Sequence, residues 1–344
     1  MPSGKMEEET RAVPQERRMN SMKRHGRKLL CMMLILTLAL VFGGCGGTGS
    51  RMMFGTGGTA GTYYSYGGVL AQYMRKYAGV KVTAVSTGGS KVNIQSIQDG
   101  DFQLGFSQSD VLTYAWEGSR SFEKDGATHD FRILGALYAE TVQLITMNDK
   151  ITSVEDLRGK SVSIGQAGSG TYFNALDVLG AADITLADIK PQYQSFEDSK
   201  ESLKDGKIDA AFIVAGAPTS AITELATTNH VNLIQIGGEL REKVIQACPY
   251  YVPLQIPAGT YPKQEEPIDT ITVQATMVVS TYADPQTVYN LTAAMFDHVE
   301  DITLENAKGA ELTLENATSI ATVPYHEGAA SYYAEHGITV NTQE

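Results

Sequence analysis

Phe54-Gly55-Thr56-Gly57-Gly58-Thr59-Ala60-Gly61-Thr62-Tyr63-Tyr64 is a glycine-rich turn that opens a helical pattern over Tyr63–Tyr77. Gly55, Gly57 and Ala60 fit G-x-G-x-x-A, a variant of the dinucleotide fingerprint. The physics suits an anion: glycines let the backbone approach closely, and the free N–H groups of a helix start point at the charge. A dinucleotide site also needs an acid at the end of the next strand to hold the ribose. That strand, Val80–Val85, ends in Ser86-Thr87-Gly88-Gly89-Ser90, with no acid. The turn therefore reads as an anion-facing loop without a nucleotide.

The same grammar returns further along the chain. Gly61-Thr62-Tyr63-Tyr64 recurs 109 residues later as Gly170-Thr171-Tyr172-Phe173. Ser96-Ile97-Gln98-Asp99-Gly100-Asp101-Phe102-Gln103-Leu104 recurs 106 residues later as Ser202-Leu203-Lys204-Asp205-Gly206-Lys207-Ile208-Asp209-Ala210. Each half reads strand, Gly loop, helix, later helix, glycine, strand. Short apolar runs at Leu104–Ser107, Arg132–Leu137, Val142–Met147, Ser161–Ile164 and Ala210–Val214 read as buried strands. Helical patterns lie at Lys91–Gln98, Ser153–Leu157, Thr171–Leu179 and Phe196–Leu203. Alternation of this kind argues for parallel sheets and an α/β fold. Thr270–Ser280 reads as a strand crossing back, and Asp284-Pro285 starts a helix over Pro285–Asp301. Two α/β lobes facing each other bring their equivalent loops, at the C-terminal strand ends, to one cleft. Two crossings between the lobes form a hinge, which suits closure around a ligand. The expected organisation is lobe I over 52–140 plus 273–344 and lobe II over 141–272.

Five turns at equivalent strand ends supply the candidate site: Gly57, Gly58, Thr59, Thr62 and Tyr63; Thr87, Gly88, Gly89 and Ser90; Gln108, Ser109 and Asp110; Gly168, Ser169, Gly170 and Thr171; and Gly216, Ala217 and Pro218. Their donors are backbone amides and hydroxyls, with no committed Arg or Lys, which describes a site for a carboxylate. Tyr63, Tyr64 and Tyr172 are aromatic faces for the ligand carbons. Asp110 is either a receptor for a ligand ammonium group or an N-cap. Gln166-Ala167-Gly168-Ser169-Gly170-Thr171 lacks the lysine of a phosphate-binding loop, which argues against nucleotide hydrolysis. Six scattered histidines and no H-E-x-x-H, C-x-x-C or G-x-S-x-G motif leave no catalytic constellation. His326, beside Glu327, reads as structural. No cofactor and no metal site is expected.

The first 44 residues differ from the rest. Lys23, Arg24, Arg27 and Lys28 precede the apolar run Leu29–Phe42, about 14 residues and short for a bilayer of about 30 Å. This is the pattern of a secretory signal. Gly43-Gly44-Cys45 after it resembles a lipobox, which makes Cys45 the lipidation site and 45–51 a tether. Residues 1–21 read as an over-extended start, with Met19 or Met22 the more natural initiator. The segment 1–44 holds eight of the 27 basic and four of the 39 acidic side chains, so the remainder carries 19 against 35, a net charge of −16. So acidic a chain argues against nucleic acid and against adhesion to anionic lipid. Beyond the signal and Cys45 only Cys248 remains, so no internal disulfide is expected.

At these residues the chain resembles the TAXI family, the extracytoplasmic solute receptors of TRAP transporters. The resembling stretches are Thr56-Gly57-Gly58 with Gly61–Tyr64, Ser86–Asn93, Gln108-Ser109-Asp110, Gly168–Thr171, and His326-Glu327-Gly328-Ala329 with Tyr332–Gly337. Ser65 departs from the family, which commonly has Pro there. The resemblance implies a two-lobed periplasmic-binding-protein fold of the type II, Venus-flytrap kind. It implies capture of a small anionic metabolite, glutamate or a related amino acid or dicarboxylate, and delivery to a fused TRAP membrane subunit. With the lipid anchor, it implies a monomer held outside the cytoplasmic membrane. A ligand-sensing lipoprotein without transport, and an enzyme on the same fold, are the competing readings.

Overall fold

The computed structural model describes residues 51–343. The signal and lipidation expectations, Cys45 included, lie outside the described residues.

The described part begins with β1 (Arg51–Gly55), α1 (Thr62–Tyr77), β2 (Lys81–Val85), α2 (Ser90–Gln98), β3 (Leu104–Gln108) and α3 (Ser109–Glu117). The long strand β4 (Phe131–Thr146) follows. Next come β5 (Ser161–Ser163), α4 (Gly170–Ala181), β6 (Lys190–Gln192), α5 (Phe196–Lys204), β7 (Ala210–Ala215) and α6 (Ser220–Thr228). Then come β8 (Asn232–Ile234), α7 (Gly238–Ala247), β9 (Val252–Ile256) and a second long strand, β10 (Ile268–Ser280). The helices α8 (Pro285–Phe296), α9 (Val299–Glu305), α10 (Leu314–Ala317) and α11 (Glu327–Glu335) complete the described chain.

The sheet runs β2-β1-β3-β10-β4-β7-β5-β6, with β8 on β4 and β9 on β10. The internal repeat is visible in this order. β1 lies parallel between β2 and β3, and β5 lies parallel between β6 and β7. The two long strands are antiparallel to their neighbours, so the sheet is mixed rather than wholly parallel. Sequence predicts two strands at Arg132–Leu137 and Val142–Met147, whereas the structure has one. Glu140 and Thr141 break the apolar pattern but keep extended pairing, opposite Val273 and Thr272 of β10.

The fold is two-lobed. One core gathers apolar side chains from residues 52–138 and 275–333. Two more gather side chains from 142–273. The cores divide where β4 and β10 pass from one half to the other. Burial follows helical periodicity: α1 turns Tyr63, Tyr66, Leu70, Tyr73 and Met74 inward, and Arg75 and Lys76 in its last turn complement the helix dipole. At α8, Pro285 sits in the first turn and the Asp284 carboxylate accepts from the Thr287 N–H at 2.8 Å.

Two helix expectations are corrected. Ser153–Leu157 forms a short 3-10 turn at Glu155–Leu157, because Asp156 accepts from the N–H groups of Thr152 and Ser153 and closes a tight local loop. The Pro285–Asp301 pattern breaks at Asp297–His298 into α8 and α9. Among the described residues no helix is long and apolar enough to cross a membrane.

Candidate functional site

Between the two halves lies a cavity of about 60 Å³. Four helix starts converge on it: Gly61-Thr62 of α1, Gly89-Ser90 of α2, Ser169-Gly170-Thr171 of α4, and Ser195-Phe196 of α5. The first N–H groups of a helix have no partner within it, and the dipole makes that end positive. Four such ends, two from each half, bring positive helix-dipole ends to the cavity without a cationic side chain. Among the described residues no Lys or Arg lines it.

The repeat explains the geometry. In each half, α1 or α4 leaves the middle strand and α2 or α5 leaves the outer one. The parallel order then places both starts at the same sheet edge. Ser169 caps α4, its Oγ accepting from the Tyr172 N–H at 3.2 Å.

Of the residues expected from sequence, Gly57, Gly58, Thr62, Tyr63, Gly88, Gly89, Ser90, Gln108, Ser169, Gly170 and Thr171 line the cavity. The Tyr63 ring stacks on Phe106 with centroids 4.7 Å apart, and its hydroxyl has no hydrogen-bond partner. The remaining expectations fall outside the lining. Thr59 is exposed at the tip of its turn. The Thr87 hydroxyl is taken by the Thr56 carbonyl and Asn93. Ser109 Oγ accepts from the Gln274 N–H at 3.1 Å. Gly168 is a turn residue at φ 81°, placed one residue before the cap. Gly216, Ala217 and Pro218 lie outside the lining, and the Gly216 carbonyl serves the contact between halves, accepting from the Thr62 hydroxyl at 3.1 Å and, within its own half, from the Thr219 hydroxyl at 2.8 Å. Tyr64 is 40% exposed, and Tyr172 packs its ring against Phe173 and Tyr193.

Asp110 belongs to a second set of contacts between the halves. Asn174 donates to Asp110 Oδ2 at 3.1 Å and to the Tyr251 hydroxyl at 2.7 Å. Tyr251 in turn donates to Asp177 at 2.9 Å. Arg120 pairs with the buried Asp177 and also reaches Tyr114 at 2.9 Å and Cys248 Sγ at 3.3 Å. Cys248 is buried within this network. His326 is structural, since its Nδ1 accepts from the Gly328 N–H at 3.1 Å at the start of α11.

The lining also contains Glu140, Gln166, Gln194, Ser195 and Phe196, absent from the expected set, together with Gly61, Val214 and Ala215. Glu140 is the acid of the cavity, 2% exposed, with Oε1 lacking a partner. Burial pushes its carboxyl up to about 8, against the opposing influence of Tyr138, Gln108 and Lys308. Burial likewise pushes Asp110 up to about 7. The folded chain therefore holds protons at these two groups that the unfolded chain has released. Stability contributed by them falls as pH rises from the ordinary carboxylate range through about 8. The ligand-free protein is expected to lose melting temperature between about pH 5.5 and about pH 8.5, and Glu140→Gln to flatten that slope. A variant slope equal to the wild type would contradict the assignment.

A model of the NMT1-like family matches residues 54–337. The chain belongs to the NMT1-like family. The match takes in all four helix starts of the cavity, so the NMT1-like region and the candidate site coincide. Solved structures resemble this NMT1-like chain at low identity. The periplasmic aliphatic sulphonate binding protein SsuA from Escherichia coli is 18% identical over 84% of each chain, with a TM-score of 0.43. SsuA from Xanthomonas axonopodis pv. citri, bound to MOPS, is 16% identical over 83% of this chain and 93% of its own, with a TM-score of 0.47. A putative L-cystine ABC transporter protein from Listeria monocytogenes is 16% identical over 77% of this chain and 98% of its own, with a TM-score of 0.48.

Proposed function

We propose that the protein is an extracytoplasmic solute receptor, not an enzyme, that binds a small organic carboxylate between its lobes. The observation that carries this reading is the convergence of four helix starts on a small cavity without a Lys or Arg. A carboxylate there accepts from backbone N–H groups and from the hydroxyls of Ser90 and Thr171, with the helix dipoles supplying positive potential. The size fits. About 60 Å³ admits a compact metabolite and excludes a dinucleotide or peptide.

The TAXI-like motifs support delivery of the solute to a TRAP-type membrane subunit, and the Gly-Gly-Cys45 motif supports a lipid anchor outside the membrane. A thermal-shift screen of amino acids and dicarboxylic acids tests the binding function. A ligand at about 100 times its Kd adds about 2.7 kcal/mol, or roughly 4 °C for a protein of this size. No shift with any organic anion would overturn the proposal.

A further inference from the structure

We infer that Glu140 is the specificity residue of the cavity: it accepts a protonated amine of the ligand, so that an amino acid is chosen over its deaminated counterpart and binding releases a proton. This rests on the solute-receptor reading of the same cavity.

The helix starts furnish donors, which a carboxylate uses. On the other side, Glu140 Oε1, Gln108 Oε1 and Gln194 Oε1 are buried acceptors without partners, and all three residues line the cavity. Orphaned buried acceptors are costly, and an ammonium group carries three donors and no acceptor. Ionised Glu140 is acceptor-only, so its chemistry does not depend on the orientation of an amide. One ligand with a carboxylate and an ammonium satisfies both sides at once.

The surroundings explain why the proton is exchanged. Glu140 faces Tyr138 of its own strand, Gln108 at the end of β3, Asp110 of α3, Tyr63 of α1, and Lys308 beyond α9. Lys308 is the one nearby cation among these, and it is paired with Glu311 at 2.5 Å. Burial and Asp110 both favour the neutral acid. An arriving ammonium reverses that balance. The carboxyl O–H bond breaks, the proton goes to solvent, and the carboxylate pairs with the ammonium, which keeps its own three protons. Charge balances: a neutral acid and a cationic group become an ion pair and a free proton.

The test uses the L-amino acid that gives the largest thermal shift among the twenty, and the same acid without its α-amino group. Both are titrated calorimetrically into the wild type and Glu140→Gln at about pH 7, in two buffers of different protonation enthalpy. The wild type is expected to bind the amino acid at least about tenfold more tightly. Its apparent enthalpy should shift between buffers by the amount for release of a sizeable fraction of a proton. Glu140→Gln should reduce the preference at least about tenfold and abolish the buffer dependence. Equal or tighter binding of the deaminated acid, or proton uptake, would overturn the inference, because a neutral Glu140 would then be donating to a second carboxylate. If dicarboxylates bind and amino acids do not, the inference fails and the receptor reading stands. If neither class binds the wild type, both fail. Should Glu140→Gln not fold, the wild-type buffer comparison decides alone.

Discussion

Gly170→Ala is expected to weaken ligand binding about 5- to 150-fold while leaving the fold intact. A Cβ at Gly170 would stand 1.8 Å from Gln108 Oε1 and 2.3 Å from its Cδ. The two residues come from different halves, and both line the cavity. Gln108 is 2% exposed, so its side-chain end has little room to retreat. The halves must part slightly or the Gln108 amide must leave the ligand. Overpacking of this kind costs about 1–3 kcal/mol, and 1.4 kcal/mol is tenfold in affinity. Within its own half the substitution is mild, since Ala is a good helix former at the first position after the Ser169 cap. Titration should therefore show a raised Kd, with a ligand-free melting temperature close to the wild type. Gln108→Ser in the same chain should relieve the clash without restoring the Gln108 contact. A Gly170→Ala protein that binds as tightly as the wild type would contradict closure over this cavity.

Gly328→Ala is expected to cost stability, not affinity directly. Its Cβ would lie 2.1 Å from the Pro285 carbonyl oxygen and 2.8 Å from the Tyr289 nitrogen. Both are backbone atoms in the first half of α8, so no side chain can rotate aside. Tyr332 and Tyr333 on the same helix are buried, which resists sliding α11 away. The cost is at the upper end of about 1–3 kcal/mol, offset by somewhat under 1 kcal/mol of helix propensity. Thermal unfolding should fall by roughly 3 °C. A melting temperature raised above wild type, as propensity alone predicts, would contradict the packing of α11 on α8.

Much of the architecture was legible because the repeat is written in local chemistry. Gly61-Thr62-Tyr63 and Gly170-Thr171-Tyr172 each join a strand to a helix start, and the glycine stops at Gly100 and Gly206 precede β3 and β7. Those turns place eleven of the expected residues on the cavity. Glu140 was missed for a physical reason. It lies mid-strand, where turn chemistry gives no signal, and it was read as the gap between two strands. A lone acid inside Phe131–Thr146, an otherwise apolar run apart from Arg132, Gln143 and two threonines, was the available clue. Gln194 and Ser195 were missed because β6, Lys190–Gln192, is three residues long and lacks an apolar run. Asp110, left open between a ligand contact and an N-cap, falls outside the cavity lining, because a helix-start acid looks the same in sequence whether it faces a ligand or a neighbouring helix. Only the packing of α4 against α3 puts Asn174 beside it.

We propose that the cavity walled by four helix starts is a carboxylate site. A crystal structure of the protein with its best-binding amino acid or dicarboxylate tests this most directly. The predicted result is a ligand carboxylate within hydrogen-bond distance of backbone N–H groups at Ser90 and at Gly170 or Thr171, between the two halves. A ligand bound elsewhere, or one whose carboxylate turns toward Glu140 and away from those helix starts, would contradict it.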